Sequence, residues 1–363
     1  MRASSIDVLR TFAMFVMVAV HFSENLAGYT PRIAGLGAPT FLFLVGVSYR
    51  LWLNGRLAKG VSDEAIRRST LRRGVFLFLL GIAFNVVVWL PEDLFNWDVL
   101  TLVGVAMFTL EVARRLPNSL ALFFISLVVA ISPVARTLTG WPEYWTNGYF
   151  DPDWNFRDPL LGFLVVGYFP LLPWLVVPIL GFVVGTSIFG ETHAGLGDTR
   201  VAGRVALMGF SAMALAALLI GGRTIFPELF PASFRPVWTM FPATTVYLCG
   251  ALGFVATAFS LLYLGLDRRL SPTDWPRLRE VASTFSRHSL TAYLLHHVIH
   301  VWPLWIYGWS RGEETTLHWQ KATSLPVALA LAALFLPCAY VLFRWMDKTG
   351  RGGVESWMRR MCD

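Results

Sequence analysis

The 363-residue chain carries 30 Lys and Arg against 23 Asp and Glu, and 55% of its residues are hydrophobic whereas only 15% are charged. This composition excludes an ordinary soluble domain, because apolar runs long enough to cross a bilayer recur along the whole sequence. Arginines between such runs report membrane topology, so the positive net charge gives no indication of a nucleic-acid partner. The three cysteines show neither metal-ligand spacing nor a disulfide framework.

The first apolar run, Ile6 to Asn25, is predicted to be a membrane helix with three ionisable side chains, Asp7, Arg10 and His21. His21 lies eleven positions after Arg10, which brings both to nearly the same helix face, about 16 Å apart along the axis. Ionisable groups inside a bilayer are costly and face the protein interior, so we interpret this stripe as functional. In the structural alternative, Asp7 pairs with Arg10, and His21 only hydrogen-bonds a neighbouring helix.

Apolar runs and the distribution of Lys and Arg predict about ten transmembrane helices with both termini cytoplasmic. The fold class is therefore all-α, a polytopic integral membrane helical bundle that forms a single domain over residues 1–363. The approximate spans are 6–25, 34–53, 74–90, 98–113, 120–138, 160–189, 205–221, 241–266, 288–309 and 325–343. Small residues in the second span favour close approach of a partner helix.

The loops between the spans carry the topology signal. Stretch 54–73 holds six basic residues against two acidic ones, which marks it as an inner loop. Stretch 139–159 is the longest outer segment, and its Trp and Tyr residues among carboxylates favour an interfacial aromatic belt over a sugar-binding lip. The sixth span contains Pro170, Pro173 and Pro178, which predict a re-entrant or kinked entry.

Histidines in the ninth span suggest chemistry. Ser289, Tyr293, His296 and His300 recur at steps of four, three and four residues, which is one helical face. A neutral histidine such as His21 or His296 can take a proton from a hydroxyl or amine nucleophile and release it later. The structural alternative is that these histidines, with His297, only hydrogen-bond between helices.

Two polar residues of other spans are candidate helpers. Asp98, at the outer edge of the fourth span, would orient a catalytic imidazole or stabilise its imidazolium form. Asn85 would polarise an acyl carbonyl in the manner of an oxyanion-hole donor, or else simply hydrogen-bond a neighbouring helix.

The arginines of the inner loop have two interpretations. Arg67, Arg68, Arg72 and Arg73 serve as a topology signal, or they bind the phosphates of a nucleotide-bearing cofactor, with Arg10 extending the site into the bundle. The sequence lacks the glycine motifs of ATP- and NAD-binding proteins.

Four segments, in the first, second, sixth and ninth spans, resemble the transmembrane acyltransferase superfamily. S-I-D-V-L-R-T-F-A-M-F-V-M-V-A-V-H, with Arg10 and His21, is similar to the Arg-x10-His signature of the acyltransferase-3 proteins. A-P-T-F-L-F-L-V-G-V-S, G-Y-F-P-L-L-P-W and S-R-H-S-L-T-A-Y-L-L-H resemble the heparan-α-glucosaminide N-acetyltransferase and YeiB-like branch.

The resemblance implies an enzyme that moves a short acyl group from cytoplasmic acyl-CoA to a saccharide hydroxyl or amine near the outer face. Acetyl is the acyl group that it favours. His21 matches the catalytic position, Arg10 is its companion, and His296 matches the histidine of the late helix. Heparan-type enzymes carry asparagine at the position of His21 and a histidine shortly after it. The loop Phe22 to Ile33 has no histidine, so His21 itself would act, either by direct transfer or by holding the acyl group.

The partners expected on this interpretation are acetyl-CoA or another acyl-CoA as donor, a glycan acceptor and membrane lipid, in the bacterial inner membrane, with a homodimer left open. We predict no metal, and haem is disfavoured because only the first and ninth spans supply intramembrane histidines. The alternative function is a proton-coupled secondary transporter or lipid-linked flippase that uses the histidines as a relay, although no inverted repeat is detected. A non-catalytic scaffold or sensor is a third possibility.

Overall fold

The computed structural model describes residues 3–31, 33–89, 94–153, 155–190, 197–230, 237–271 and 273–363. Its secondary structure is almost entirely helical, which confirms the all-α fold class. The α-helices are α1 (Ser4–Ala27), α2 (Ala34–Ala58), α3 (Asp63–Val88), α4 (Val99–Ala113), α5 (Asn118–Thr139), α6 (Arg157–Leu161), α7 (Leu171–Trp174), α8 (Val176–Phe189), α9 (Thr199–Ile225), α10 (Thr245–Leu262), α11 (Pro276–Arg287), α12 (Ser289–Ser310), α13 (Leu325–Thr349) and α14 (Val354–Cys362). A short antiparallel hairpin pairs β1 (Trp145–Thr146) with β2 (Tyr149–Phe150).

Eight helical stretches in the described part of the chain are long and apolar enough to cross a membrane. They are α1, α2, α3, α5, the stretch Arg157–Phe189, α9, the stretch Thr245–Arg269 and α13. Two predicted spans fall outside this set, since α4 has only 15 residues and α12 carries polar histidines in its middle. The protein is therefore a polytopic integral membrane protein, whereas the total of ten spans and the cytoplasmic termini stay predictions.

The chain divides into two compact units. Leu42–Arg269 forms the central unit, and the residues up to Phe41 together with Leu270–Met361 form the terminal unit. The terminal unit thus combines both ends of the sequence and contains the histidines of α1 and α12. The single functional domain over residues 1–363 stays a prediction.

The core of the terminal unit fixes the rotation of α1. Met14, Val18, Phe22 and Leu26 follow one another at steps of four residues, and all four are buried in one cluster with residues of α13. Small side chains on α13 allow this close approach; they are Ala328, Ala332 and Ala339. With this face of α1 buried against α13, His21 on a neighbouring face is directed toward α12.

Glycines bring helices of the central unit into close contact, as predicted for the second span. A Cβ on Gly46 of α2 would collide with backbone atoms of α8, including Pro178 O and Gly181 C. A Cβ on Gly104 of α4 would lie 2.6 Å from the backbone nitrogen of Phe78 in α3, closer than real Cβ atoms approach. These crossings therefore require residues without a side chain.

The sixth predicted span is broken, which confirms the kinked entry. A π-helical turn, Gly162–Val166, follows α6 and ends at Gly167. Within α7, Leu172 has the extended conformation (φ −99°, ψ 114°), and α8 continues the span as a regular helix. The prolines of this segment explain the break, because proline removes a helical hydrogen-bond donor and disfavours the helical conformation in the residue before it.

Four aromatic residues of stretch 139–159 belong to a packed cluster of the central unit, whereas Phe156 is exposed. Tyr144 and Phe150 are buried in a cluster with Trp97 and Val166, and Trp145 Nε1 donates a hydrogen bond to the Val166 carbonyl at 2.7 Å. These rings stabilise the loop itself. Neither of the two interpretations of this stretch, an interfacial aromatic belt or a sugar-binding lip, included that role. Trp154 lies outside the described residues.

Helix α12 begins without a side-chain cap of its own. Glu355 of α14 supplies the missing acceptor: Oε1 accepts hydrogen bonds from the backbone N–H groups of Leu290 (2.6 Å) and Thr291 (2.9 Å), and Oε2 accepts one from Thr291 Oγ1 (2.7 Å). A carboxylate is favourable there because the N-terminus of a helix carries partial positive charge and unpaired N–H groups. Helix α14 therefore anchors the first turn of the histidine-bearing helix.

Replacing Glu355 with alanine is expected to destabilise the terminal unit by about 2 kcal/mol, since three hydrogen bonds to a charged acceptor are lost at a helix terminus. Glu355→Gln keeps a hydrogen-bond acceptor, so its stability should lie between that of Glu355→Ala and that of wild type. Thermal unfolding in detergent measures the effect, with exposed Glu228→Ala as the control. Equal melting temperatures for Glu355→Ala and Glu228→Ala would contradict the capping role.

Candidate active site

Histidines of α1 and α12 meet in the terminal unit. His21 Nδ1 lies 2.9 Å from His296 Nε2, and the two rings are nearly parallel, at 11°. The ring centre of His297 lies 4.5 Å from that of His21. His296, His297 and His300 are buried, whereas His21 is half-buried. The structure therefore brings together the two histidines that the sequence analysis assigned to catalysis.

Backbone acceptors determine which ring nitrogens of α12 carry hydrogen. His296 Nδ1 lies 3.0 Å from the Ala292 carbonyl oxygen, and His297 Nδ1 lies 3.1 Å from that of Tyr293. Because a carbonyl can only accept, each Nδ1 must donate. In the neutral ring Nε2 is then an acceptor, so His21 Nδ1–H donates to His296 Nε2. The remaining nitrogen of His21, Nε2, keeps its lone pair and can act as a base.

The C-terminal end of α1 continues the polar contact. Asn25 Nδ2 donates to His300 Nε2 at 2.8 Å, while His300 Nδ1 donates to the His296 carbonyl at 2.5 Å. On the other side of the residue, Asn25 Oδ1 accepts from Trp319 Nε1 (3.2 Å), and the backbone carbonyl of Asn25 accepts from Gln320 N (2.7 Å). The loop between α12 and α13 thus fixes Asn25, which in turn fixes His300.

An ion-pair cluster holds that loop. Glu313 accepts hydrogen bonds from His318 Nε2 at 2.7 Å and from Arg311 Nε at 3.0 Å. The hydrogen bond from His318, followed by that from Arg311, holds the pKa of the Glu313 carboxyl below its ordinary value. The carboxylate is therefore charged over the physiological pH range and keeps both contacts.

Arg10 contacts α11. Its Nη1 donates to the hydroxyl of buried Ser286 at 2.7 Å. In the next residue, Thr11 Oγ1 donates to the Ala282 carbonyl at 3.0 Å. These bonds attach the N-terminal half of α1 to α11. A role for Arg10 in donor binding stays a prediction.

The predicted phosphate-binding arginines lie at the start of α3, in the central unit. Arg67 Nε and Arg68 Nε both donate to the Glu64 carboxylate at 2.8 Å, and Arg72 is exposed. The guanidinium of Arg73 lies over the ring of Trp52, with Cζ 4.6 Å from the ring centre. Arg67, Arg68 and Arg72 are exposed within about one and a half helical turns and form a basic surface. That this surface binds phosphate stays a prediction.

Asp98 and Asn85 also belong to the central unit, where both make local contacts. Asp98 Oδ1 accepts the backbone N–H of Leu100 at 2.8 Å and thereby caps α4. Asn85 is buried, and its Nδ2 donates to the Leu94 carbonyl at 3.0 Å. To stabilise an oxyanion, Asn85 Nδ2 would have to give up its hydrogen bond to the Leu94 carbonyl and donate to the substrate instead. Their proposed catalytic roles stay predictions.

Two polar residues of the terminal unit, one bonded to His300 and one bonded to Arg10, were missed from the sequence. Asn25 follows His21 by four residues, so the helical period contained a usable signal. Ser286 is 276 residues from Arg10 in the sequence, and no local pattern connects them. His297 was noted only as a structural residue, because it follows His296 directly and lies off the face that ends at His300.

Comparison with known proteins places the chain in a family. A family model described as heparan-alpha-glucosaminide N-acetyltransferase, catalytic, matches residues 2–220, more than half of the chain. No curated protein matches the sequence. The matched residues include Arg10 and His21 but end before α12, so the pairing of His21 with His296 rests on the structure alone. The chain belongs to the heparan-alpha-glucosaminide N-acetyltransferase catalytic family, a family of membrane acetyltransferases.

Proposed function

We propose that this protein transfers an acetyl group from cytoplasmic acetyl-CoA to a saccharide hydroxyl or amine at the opposite face of a bacterial inner membrane. Family membership supports the reaction class. The observation that carries the mechanism is the hydrogen bond of 2.9 Å between His21 Nδ1 and His296 Nε2. It leaves one basic nitrogen, His21 Nε2, on the half-buried member of the cluster.

In the proposed reaction His21 acts as the general base. Its Nε2 takes a proton from the acceptor while the acceptor oxygen or nitrogen attacks the carbonyl carbon of the acetyl thioester. The new C–O or C–N bond forms and the C–S bond breaks. The CoA thiolate leaves and receives the proton from the His21 imidazolium, so the products are the acetylated saccharide and free CoA.

His296 acts as a positioning residue for His21. Its Nδ1–H is engaged by the Ala292 carbonyl, which fixes Nε2 as an acceptor. That acceptor holds His21 in the tautomer with a basic Nε2, and it still accepts from Nδ1–H when His21 becomes an imidazolium. The aspartate of hydrolytic triads serves the same purpose, although here the acceptor is a neutral ring.

The basic surface of α3 is the proposed site for the CoA phosphates. Guanidinium groups match phosphate oxygens in charge and geometry. Arg67 and Arg68 are paired with Glu64, but their side chains are 45% and 67% exposed, so a phosphate can compete for the same donors. Exposed ion pairs contribute little stability, so replacing Glu64 by a phosphate as the partner of these arginines costs little free energy.

Calorimetric titration of purified protein with acetyl-CoA tests the donor site. The double variant Arg68→Ala/Arg72→Ala is expected to bind acetyl-CoA at least tenfold more weakly than wild type, because two phosphate-binding charges are removed. The matched control is Arg359→Ala/Arg360→Ala, which removes the same charge from exposed residues of α14.

Equal weakening in the two double variants would reduce the effect to net charge and contradict a specific phosphate site. No binding of any acyl-CoA by wild type would contradict the acetyltransferase proposal, and the histidines would then be interpreted as a proton relay for transport.

A further inference from the structure

The histidine cluster has the geometry of a metal site. One ring nitrogen from each of His21, His296 and His297 lies within 4.8 Å of the other two. Neutral imidazole is a preferred ligand of Zn²⁺, Cu²⁺ and Ni²⁺. Bonds of about 2.0–2.1 Å to a tetrahedral ion would set the nitrogens about 3.4 Å apart, so modest ring movements suffice. We propose that these three histidines bind a divalent transition-metal ion reversibly, and that the bound ion inhibits acetyl transfer.

The surroundings of the two α12 ligands are those of metal-binding histidines. Such residues commonly donate the second ring N–H to a backbone carbonyl, which fixes the ring orientation and the tautomer. His296 and His297 do so through Ala292 and Tyr293, at 3.0 and 3.1 Å. Both rings thus present Nε2 as the metal ligand. His21 approaches from α1 with Nδ1 and completes a set of three nitrogen ligands.

Metal binding would exchange one hydrogen bond for three coordinate bonds. The N–H···N bond between His21 and His296 breaks, and each ring nitrogen donates its lone pair to the ion. Because His21 binds through Nδ1, its ring hydrogen moves to Nε2, with no change in the number of protons or electrons. His21 then has no lone pair for a substrate proton. This inhibitory consequence rests on the proposed function, whereas metal binding itself does not.

The chemistry of the ligand set limits the affinity. None of the three ligands is a carboxylate or a thiolate, so the ion keeps its full charge, and a water or anion must occupy the fourth position. Transfer of such a charge toward apolar surroundings is costly. We therefore expect a dissociation constant of about 1–100 μM, weaker than that of structural zinc sites.

Binding can be measured with Co²⁺, whose tetrahedral complexes absorb visible light. The full chain is purified in detergent with a tag that contains no histidine, titrated with Co²⁺, and then competed with Zn²⁺. Wild type should bind one ion per chain with the spectrum of a tetrahedral nitrogen site. His297→Ala should weaken binding at least tenfold. His300→Gln removes a buried histidine from the same helix outside the ligand set, and it should bind as wild type does.

Failure to fold is separated from loss of a ligand by a second variant. His296→Gln keeps a side chain that accepts from His21 but is a poor metal ligand, so it should also lose the spectrum while it retains its helical circular dichroism and elution volume. A wild-type protein without the tetrahedral spectrum, or ligand variants that bind Co²⁺ as tightly as His300→Gln, would overturn the site.

Inhibition is tested separately on acetyl transfer, with each rate expressed relative to the same variant's own metal-free rate. Zn²⁺ should inhibit wild type, a chelator should restore the rate, and His297→Ala should need at least tenfold more Zn²⁺. Loss of activity on chelation with recovery on Zn²⁺ would make the ion a cofactor and overturn the inhibitory role. If wild type binds Co²⁺ in the expected site but transfers no acetyl group, the metal site stands and the proposed function fails.

Discussion

His21→Ala is expected to lower the rate of acetyl transfer by about 10³-fold or more. A positioned general base contributes about 10²–10⁴-fold to a rate, and alanine removes the base without a replacement. The measurement is transfer of labelled acetyl from acetyl-CoA to a saccharide acceptor by protein in detergent or proteoliposomes. Acetyl-CoA binding should be unchanged, because the proposed phosphate-binding arginines are not altered.

Two comparisons make this result specific to His21. His318→Gln removes a histidine from the loop between α12 and α13, 28% exposed, and should keep at least half of the rate. Free imidazole added to His21→Ala should restore part of the activity, since the side chain that is removed leaves space for a small base. A variant that retains more than a tenth of the wild-type rate without imidazole would rule out His21 as the base.

The elements that the sequence predicted well are those that follow from local periodicity. Apolar runs of bilayer length located the helices, because nearly every residue of such a run must be apolar. The helical repeat placed Arg10 and His21 on one face and His296 and His300 on another. Bilayer energetics then indicated that the two faces would turn inward, and the contact of 2.9 Å between His21 and His296 bears this out.

The contacts that could not be predicted either involve a partner distant in the sequence or depend on which of several possible groups a polar side chain meets. Glu355 caps α12 from a helix more than sixty residues later, and nothing in the pattern around Leu290 indicates this. Asn85 is a polar residue in an apolar run whichever group it contacts, so the sequence cannot reveal that its amide donates to Leu94. Asp98 illustrates the same limit, because a helix cap and a catalytic carboxylate have the same sequence signature.

Tautomers form a third category, since they depend on which backbone oxygen lies beside a ring. The sequence shows that His296 lies four residues after Ala292, and a helix places those groups near each other. Only the structure shows that the His296 ring turns so that Nδ1, rather than Nε2, reaches the Ala292 carbonyl at 3.0 Å. That choice determines which nitrogen of His21 is basic, and therefore which residue is the base and which one positions it.

The positioning role predicts that His296→Ala lowers kcat by about 10²-fold and leaves the KM for acetyl-CoA close to wild type. Without an acceptor for Nδ1–H, His21 is no longer held in the tautomer with a basic Nε2, and its imidazolium form loses a hydrogen bond. His296→Gln should recover part of the loss, because the amide oxygen can accept from His21. If His296 had a purely structural role, the rates of both variants would fall because less protein is folded. Helical circular dichroism and elution volume would reveal that loss.

The decisive measurement is a double-mutant cycle. If His296 acts only through His21, His21→Ala/His296→Ala should be no slower than His21→Ala alone, because residues that act as one unit give strongly non-additive effects. Additive losses of rate would mean that His296 contacts the substrate or the thioester directly, independently of His21. A normal rate for His296→Ala would mean that the tautomer of His21 is set elsewhere, and Asn25 with His300 would then be the next pair to alter, since they continue the same polar contact between α1 and α12.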